Sequence, residues 1–335
     1  MFSVAIVGAT GAVGSVMLRV LEERGFPVTR LVALASERSV GRELDYLGKP
    51  VRVERLGEDS FEGVDIALFS AGAARSRAYA PAAVEAGAVV IDNSSAYRMD
   101  PHVPLVVPEV NEAALERHQG IVANPNCVAA PLVVALKPIA DAVGLERVIV
   151  STYQSVSGTG AAAVAELREQ TGGVLAGDEP EPSVYPHPIA FNVLPHIDVF
   201  DESGYTGEER KVANETRKML DLPDLPVSAT CVRVPVFYGH SQSVTIETSE
   251  KIDAARARAL LMVAPGVAVV DEPSLGRYPL PRDAAGRDDV FVGRIREDAS
   301  HPRGLVLWIV SDNLRKGAAT NAVQIAESLV AHGWL

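Results

Sequence analysis

The chain has 335 residues, enough for about two domains, and its 47% hydrophobic and 22% charged content is that of an ordinary globular protein. Its formal net charge of −12 argues against nucleic acid and anionic membranes as partners, although a local basic pocket could still bind a phosphorylated substrate. Two cysteines, Cys127 and Cys231, form neither a disulfide framework nor a metal set, so we expect no metal site and a cytoplasmic protein.

The first 18 residues carry no charge, which raises the question of a secretion signal. Their start lacks a basic residue and three glycines interrupt the apolar run, so we expect no signal peptide. No other segment is apolar over the ~18 residues that a membrane span requires, and we expect no membrane partner.

A buried-strand pattern at residues 3–7 leads into a glycine-rich loop and a helix predicted over 12–24. This order is the context that a dinucleotide fingerprint needs, because glycines allow close backbone approach and the helix start offers free N–H groups to a pyrophosphate. The candidate cofactor-binding residues are Gly8, Thr10, Gly11, Ala12 and Val13. The spacing Gly-x-x-Gly-x-x-Gly is a variant of the fingerprint, so a tight turn without a ligand is the alternative.

The second predicted strand, 29–35, ends about 20 residues beyond the glycines, where the residue that contacts the ribose is expected. Glu37 would suit the 2′-hydroxyl of NAD, whereas Arg38 with Ser36 and Ser39 would suit the 2′-phosphate of NADP. We favour NADP, because arginine is the usual partner of that phosphate.

Strands alternate with helices through the rest of the first half, which predicts a doubly wound sheet. The predicted strands are 51–53, 65–70, 88–92, 105–107 and 120–123, and the predicted helix is 74–87. Arg98 follows a strand end, on the side of an α/β sheet where ligands bind, and could hold an anion. The alternative is an ordinary surface arginine.

The turn Asn124-Pro125-Asn126 joins the strand at 120–123 to an apolar helix predicted over 128–143. Asn126 is the expected N-cap of that helix, which would place Cys127 in its first turn. The positive end of the helix dipole favours a thiolate there, so Cys127 is a candidate nucleophile. The alternative is that Cys127 packs in the core as a small hydrophobic residue, as most free cysteines do.

Three short segments of the second half contain further candidate residues. Gln154 directly follows a predicted strand at 148–153 and is a polar side chain at the strand end. Ser157 and Gly158 belong to a loop that could approach a ligand or could only cap the next helix. Glu208 and Lys211 lie three residues apart on one helix face, which by itself indicates a solvated ion pair.

Arg233 lies inside the apolar strand pattern 227–236, on the same face as Cys231, where a charge is costly unless it is paired. His240 follows a glycine turn and precedes a strand at 243–247, so it could present its imidazole to a site or serve the turn alone. The chain ends with a strand at 305–311 and a helix at 318–332. The apolar stripe of that helix, which we expect to return to the first domain, is Ala322, Ile325, Ala326 and Leu329.

A nicotinamide-type fold with a thiol and a histidine suggests oxidation or reduction at an acyl or aldehyde carbon. The chain resembles the bacterial aspartate-semialdehyde dehydrogenase family from end to end. The motifs that carry the resemblance are GATGAVG at 8–14, DNSSAYRMD at 92–100, VVPEVN at 106–111, NPNC at 124–127, RVPV at 233–236 with Gly239-His240, and KGAATNAV at 316–323.

The resemblance implies an α/β fold with two domains. A Rossmann-type NADP-binding domain would span 1–126 and be completed by the C-terminal helix, 314–335. An α+β catalytic and dimerisation domain with a mixed sheet would span 127–313, and the protein would be a homodimer.

The resemblance also implies NADPH-dependent reductive dephosphorylation of L-aspartyl-4-phosphate to L-aspartate-4-semialdehyde, a step of lysine, threonine and methionine biosynthesis. Cys127 would form a thioester and expel phosphate, and His240 would be the acid/base. The other implied roles are substrate orientation by Gln154 and contact by Asn126, a carboxylate contact by Arg233, an ammonium contact by Glu208, phosphate contacts by Arg98 and Lys211, and a cofactor lining of Ser157, Gly158 and Asn313.

The chain departs from the family at Val128-Ala129, where relatives usually have Ser or Thr and then Thr. A catalytically silent or altered-specificity paralogue that binds nucleotide is therefore the alternative. A related reductase of N-acetylglutamyl phosphate generally has Gly before its cysteine, so Asn126 counts against that activity.

Overall fold

The computed structural model describes residues 1–335, which form two compact units. The first unit comprises Met1–Asn126 and Ala318–Leu335, and the second comprises Cys127–Gly317. Each unit contains its own β-sheet and its own hydrophobic core.

The first unit is built on a seven-stranded sheet of order β3-β4-β2-β1-β5-β6-β7, parallel except for the β3–β4 pair. Its strands are β1 Phe2–Val7, β2 Val28–Ala35, β3 Glu43–Tyr46, β4 Lys49–Arg55, β5 Ile66–Phe69, β6 Val89–Asp92 and β7 Ile121–Ala123. Its helices are α1 Ala12–Glu23, α2 Ala73–Glu85, α3 Pro108–Asn111 and, from the end of the chain, α9 Thr320–His332. The strand order reverses between β1 and β5, and ligands of such sheets bind in the crevice at that reversal.

The core of the first unit lies on both faces of the sheet. One face is covered by α1 and α9, through residues such as Met17, Leu21 and Ile325, and the other by α2, through Ala80 and Ala83. The predicted apolar stripe of the last helix is fully buried in the first of these clusters. The burial of this stripe explains why the C-terminal segment of the chain belongs to the first unit.

The second unit is built on a mixed six-stranded sheet of order β11-β12-β13-β10-β8-β9. Its strands are β8 Leu145–Gln154, β9 Val227–Arg233, β10 His240–Thr248, β11 Val267–Val269, β12 Val290–Glu297 and β13 Gly304–Ser311. Its helices are α4 Ala129–Val143, α5 Ala161–Ala176, α6 Gly207–Leu220, α7 Ala254–Met262 and α8 Pro281–Ala284. Helix α4 is buried along most of its length, because it packs against α6, α7 and the sheet. These two units confirm the predicted fold class.

Two predicted strands differ from the structure, and one hairpin of the structure was not predicted. Residues 105–107 form no strand and contribute one isolated bridge, between Leu105 and Ala123. The predicted strand 227–236 ends at Arg233, two residues before Pro235, which has no N–H to donate to a ladder. The hairpin of β3 and β4 was not predicted, because its alternation of polar and apolar residues is short and largely exposed. No helix is long and apolar enough to cross a membrane.

Candidate active site

The glycine loop of the first unit is closely packed. Gly8 has φ +89°, and a Cβ there would lie 2.5 Å from the Ser70 carbonyl oxygen. A Cβ on Gly14 would lie 2.2 Å from the Gly8 carbonyl oxygen, so only glycine fits at either position. Gly11 occupies the N-cap of α1 and provides no side-chain cap. The loop therefore leaves the first-turn N–H groups of α1 to a ligand, and these residues fit a pyrophosphate.

The segment after β2 forms a single turn of 3₁₀-helix, Glu37–Ser39, with Ser36 at its N-cap. Ser39 Oγ lies 3.2 Å from Thr10 Oγ1, which joins this turn to the glycine loop. Glu37 is paired with Arg55 at 3.2 Å, whereas Arg38 is exposed and has no ion pair. The free cation in this turn is thus the arginine that we expect to contact a 2′-phosphate.

Arg98 lies in the first unit and is only 8% exposed. Its Nε donates to the Asn124 carbonyl at 3.0 Å, and its Nη2 donates to the Asn93 carbonyl at 2.7 Å. The surface alternative for Arg98 is therefore wrong. A buried arginine joins the ends of β6 and β7, where the ligand side of the sheet was predicted.

The predicted N-cap role of Asn126 is wrong. Helix α4 begins at Ala129, and Val128 occupies the cap position without a side-chain hydrogen bond. Cys127 consequently lies in a turn two residues before the helix instead of in its first turn. Asn126 is nevertheless buried, and Cys127, which is partly exposed, remains at the N-terminal end of α4.

Cys127 and His240 meet in the second unit, where Cys127 Sγ lies 3.4 Å from His240 Nε2. His240 begins β10 and is fully buried. Burial, and secondly the positive charge of Arg233, lower the pKa of His240 well below its usual 6.5, so the imidazole is neutral at physiological pH. A neutral imidazole beside a thiol is arranged to accept or return a proton.

Ser155 contacts the other nitrogen of the imidazole. Its backbone N–H donates to His240 Nδ1 at 3.0 Å, and its Oγ lies 3.0 Å from the same atom. The N–H suits an unprotonated Nδ1, and the hydroxyl can accept from a protonated Nδ1. With the N–H hydrogen bond in place, the neutral imidazole carries its proton on Nε2, toward Cys127 Sγ. Nε2 can accept a proton only in the other tautomer, in which Nδ1–H donates to the Ser155 hydroxyl and the hydrogen bond from the backbone N–H is lost.

Asn313 fixes the loops around this histidine. Its Oδ1 accepts hydrogen bonds from Ser155 Oγ at 3.0 Å, from Ser157 Oγ at 3.2 Å and from the Gly239 N–H at 3.0 Å. Its side chain is thus bound within the protein, and its predicted cofactor contact stays a prediction. Gly158 lies at the centre of the site, because a Cβ there would be 3.2 Å from both Arg233 Nη1 and His240 Nε2.

Gln154, at the end of β8, begins a chain of polar contacts. Its Nε2 donates to Glu208 Oε1 at 3.1 Å, and Glu208 Oε2 lies 3.5 Å from Lys211 Nζ. Lys211 is also paired with Asp198 at 2.6 Å. Glu208 is only 6% exposed, so the prediction of a solvated ion pair is wrong for the glutamate. A buried carboxylate linked to Gln154 is placed to meet a cationic group of a ligand.

Arg233 ends β9 on the same buried face as Cys231. Its Nη1 donates to the Ser155 carbonyl at 2.7 Å, and its guanidinium carbon lies 5.9 Å from the centre of the Tyr185 ring. No carboxylate pairs with it, and its buried Nε has no hydrogen-bond partner. Leaving a buried charged donor unsatisfied is costly, so the guanidinium of Arg233 has a donor available for an anionic ligand group, and its predicted substrate contact stays a prediction.

A cavity of about 620 Å³ opens beside Arg233. Its walls include Tyr185, Asp198, and His196 stacked on Phe200 with ring centres 4.5 Å apart. A small polar molecule with an anionic group could enter the second unit at this point. No group of three or more His, Cys, Asp or Glu side chains is arranged to hold a metal ion.

Two family models match the chain in tandem, the semialdehyde dehydrogenase NAD binding domain over residues 3–118 and the semialdehyde dehydrogenase dimerisation domain over residues 136–316. The aspartate-semialdehyde dehydrogenase of Aquifex aeolicus is 57% identical to the chain, over 99% of each. The chain belongs to the aspartate-semialdehyde dehydrogenase family. The enzyme of Bacillus subtilis is 55% identical, over 97% of this chain and 96% of its own.

Solved structures of the aspartate-semialdehyde dehydrogenase family have the same fold. The crystal structure of aspartate semialdehyde dehydrogenase II from Vibrio cholerae, complexed with ASA, superposes with a TM-score of 0.96 at 52% identity, covering 99% of this chain and 98% of that one. The enzyme from Candida albicans, solved with NADP, has a TM-score of 0.78 at 25% identity and full coverage of both chains. The predicted family is confirmed.

The structure connects most residues that the family resemblance implied. In the second unit the connected set comprises Cys127, Gln154, Ser157, Gly158, Glu208, Lys211, Arg233, His240 and Asn313. Four residues that were not predicted as site residues also contact members of this set, namely Thr152, Ser155, Tyr185 and Gly317. Thr152 and Ser155 carry only the signal of a polar residue at or next to the end of β8, which is too common to be specific, and Tyr185 and Gly317 lie away from any strand end and carry no local signal.

Val128-Ala129, the position at which the resemblance implies a departure from the family, lies in the interior. Both side chains are fully buried. The Val128 carbonyl accepts a hydrogen bond from Gln242 Nε2 at 3.0 Å, so β10 holds the turn that follows Cys127 without a hydroxyl at either position.

Proposed function

We propose that the chain catalyses the NADPH-dependent reductive dephosphorylation of L-aspartyl-4-phosphate to L-aspartate-4-semialdehyde through a thioester on Cys127. The observation that carries the proposal is the contact of Cys127 Sγ with His240 Nε2 at 3.4 Å, in a chain that is 57% identical to an aspartate-semialdehyde dehydrogenase. A thiol paired with a neutral imidazole is the arrangement that activates a nucleophile.

Arg233, Gln154 and Glu208 would bind and orient the amino-acid part of the substrate. The unsatisfied Nε of Arg233 suits the α-carboxylate, and the buried Glu208 carboxylate suits the α-ammonium. Gln154, which is bonded to Glu208, would orient the carbonyl that reacts. Arg98 and Lys211 would contact the phosphate of the substrate, and Asn126 would contribute a further substrate contact.

Proton transfer would run through His240. In the acylation step the imidazole, in the tautomer whose Nδ1–H donates to the Ser155 hydroxyl, would accept the thiol proton at Nε2. The Cys127 sulfur would form a bond to the acyl carbon, and the bond from that carbon to the phosphate oxygen would break. NADPH, when bound, supplies the hydride that reduces the acyl carbon. His240 then returns the proton from Nε2 as the bond between carbon and sulfur breaks and the aldehyde leaves.

The cofactor would be held by the first unit. The residues of the glycine loop and the first turn of α1 would contact the pyrophosphate, and the turn of Ser36, Arg38 and Ser39 would contact the 2′-phosphate. Ser157, Gly158 and Asn313 would line the nicotinamide end. The Candida albicans relative was solved with NADP, which supports NADP over NAD.

The test is a phosphate-dependent assay of NADP reduction with aspartate semialdehyde, run on the wild type and on Cys127→Ala. We expect turnover in the wild type and a loss of about 10⁴-fold or more in the variant, as for removal of a catalytic nucleophile. NADPH fluorescence must show that the variant still binds cofactor. NADPH binding by the wild type without turnover would instead support the silent paralogue, and turnover of N-acetylglutamyl phosphate would support the related reductase.

The second unit is expected to form a homodimer. Its sequence matches the dimerisation domain of the family over residues 136–316, and exposed aromatic residues such as Tyr153, Phe237 and Tyr238 lie near the ends of its strands. Light scattering should give twice the chain mass of 35.5 kDa. A monomer at micromolar concentration would contradict this part of the proposal.

A further inference from the structure

Thr152 lies beside the site and has no role in the reaction described above. It is fully buried in β8, two residues before Gln154, so both side chains point to the same face of the sheet. Its hydroxyl donates a hydrogen bond of 3.0 Å to Gln154 Oε1.

The amide of Gln154 can adopt only one orientation between its neighbours. Glu208 is a carboxylate, which accepts hydrogen bonds, so Gln154 must present Nε2 to it at 3.1 Å. Oε1 then faces the opposite way, toward Thr152, and requires a donor. Gln154 is 1% exposed, so water cannot replace that donor easily.

We propose that Thr152 is a positioning residue for the reaction, whose hydroxyl fixes the orientation of the Gln154 amide and thereby its contact with the substrate. The inference rests on the proposed function. Glu208 and Thr152 hold the amide from its two ends, one through an acceptor and the other through a donor.

Replacement of Thr152 by valine keeps the shape of the side chain and its preference for a strand, but it removes the donor. Gln154 Oε1 is then buried without a partner, or the amide rotates and turns Oε1 toward the Glu208 carboxylate. An unsatisfied or repelled amide moves in either case. Because misplacement of a substrate-orienting group by about 1 Å can cost roughly 100-fold, we expect kcat/KM to fall by about tenfold or more.

The experiment is a double-mutant cycle in the phosphate-dependent assay, with Thr152→Val, Gln154→Leu and the double variant. If Thr152 acts through the Gln154 amide, Thr152→Val lowers kcat/KM in the wild type but not in the Gln154→Leu background. Thr152→Ser retains the donor and should restore at least half of the activity. Thr245→Val makes the same change at a half-buried position of β10 and should leave kcat/KM unchanged.

Two results would overturn the inference. One is an unchanged kcat/KM in Thr152→Val. The other is an equal loss of kcat/KM on adding Thr152→Val to the wild type and to Gln154→Leu, because an equal loss indicates a general packing effect. Unfolding midpoints of all variants show whether a loss of activity follows from a loss of fold. Because every rate is compared with an active wild type, failure of this inference is distinct from failure of the proposed function, in which the wild type itself shows no turnover.

Discussion

The substitution Gly317→Ala tests how closely the nucleophile is held. A Cβ on Gly317 would lie 3.0 Å from both the Cβ and the carbonyl oxygen of Cys127, and 3.2 Å from its Cα. The φ angle of Gly317 is not in the left-handed region, so alanine is acceptable to the backbone there. The effect of the substitution is therefore steric and directed at Cys127.

The size of the effect follows from the distances. Carbon atoms in contact are normally about 3.5–4.0 Å apart, so Cys127 must move by roughly 0.5 Å to admit the new methyl group. Overpacking of a buried position costs about 1–3 kcal/mol of stability. A shift of this size also disturbs the 3.4 Å contact between Cys127 Sγ and His240 Nε2, and we expect kcat to fall by about tenfold.

Two measurements check this prediction. The phosphate-dependent assay gives kcat, and the rate of alkylation by iodoacetamide reports on the Cys127 thiol directly. Cys231 should not interfere, because it is fully buried and burial raises the pKa of its thiol. Gly172→Ala is the matched control, since Gly172 lies inside α5 with nothing within 4 Å of its Cβ position. That change should preserve activity and stabilise the helix by about 0.5–1 kcal/mol.

A wild-type kcat together with a wild-type alkylation rate in Gly317→Ala would show that Cys127 is not held closely by Gly317. An equal loss of activity in Gly172→Ala would also contradict the prediction, because the loss would then be a general response to the substitution and not a consequence of contact with Cys127.

Two further predictions concern single residues. The pKa of buried His240 is lowered, so as the pH falls below 6.5 the imidazole binds a proton in the unfolded chain but not in the folded one. The free energy of unfolding of the wild type should therefore decline, relative to that of His240→Gln, by up to about 1.4 kcal/mol per pH unit. Urea unfolding at pH 7.5, 6.5 and 5.5 measures this difference, and a constant difference would contradict it. Arg38→Ala should lower kcat/KM for NADPH by about 10-fold to 100-fold and change that for NADH less than about twofold, because Glu37 is already paired with Arg55. An equal loss with both cofactors would rule out the 2′-phosphate contact.

Much of the first unit could be predicted from the sequence because its signals are local. The glycine loop, its preceding strand and its following helix occupy 22 consecutive positions, from Phe2 to Glu23, and each element is specified by nearby residues. The apolar stripe of α9 is likewise a periodic signal, and it buries against the first unit. By contrast, residues 105–107 have strand-forming side chains but form only one isolated bridge, between Leu105 and Ala123. The availability of a partner strand depends on the rest of the sheet and cannot be predicted from the segment itself.

The sequence by itself determined the family, the fold class and the candidate nucleophile, because these depend on motifs whose residues are close together. Only the tertiary structure decided that Cys127 lies before its helix, that Glu208 is buried, and that Arg98 is not on the surface. The contact of Gln154 with Glu208 joins the end of β8 to α6, which packs against the neighbouring strand β9. These two residues, 54 positions apart, are brought together because β9 pairs with β8 and packs against α6, and local sequence patterns do not indicate such a long-range contact.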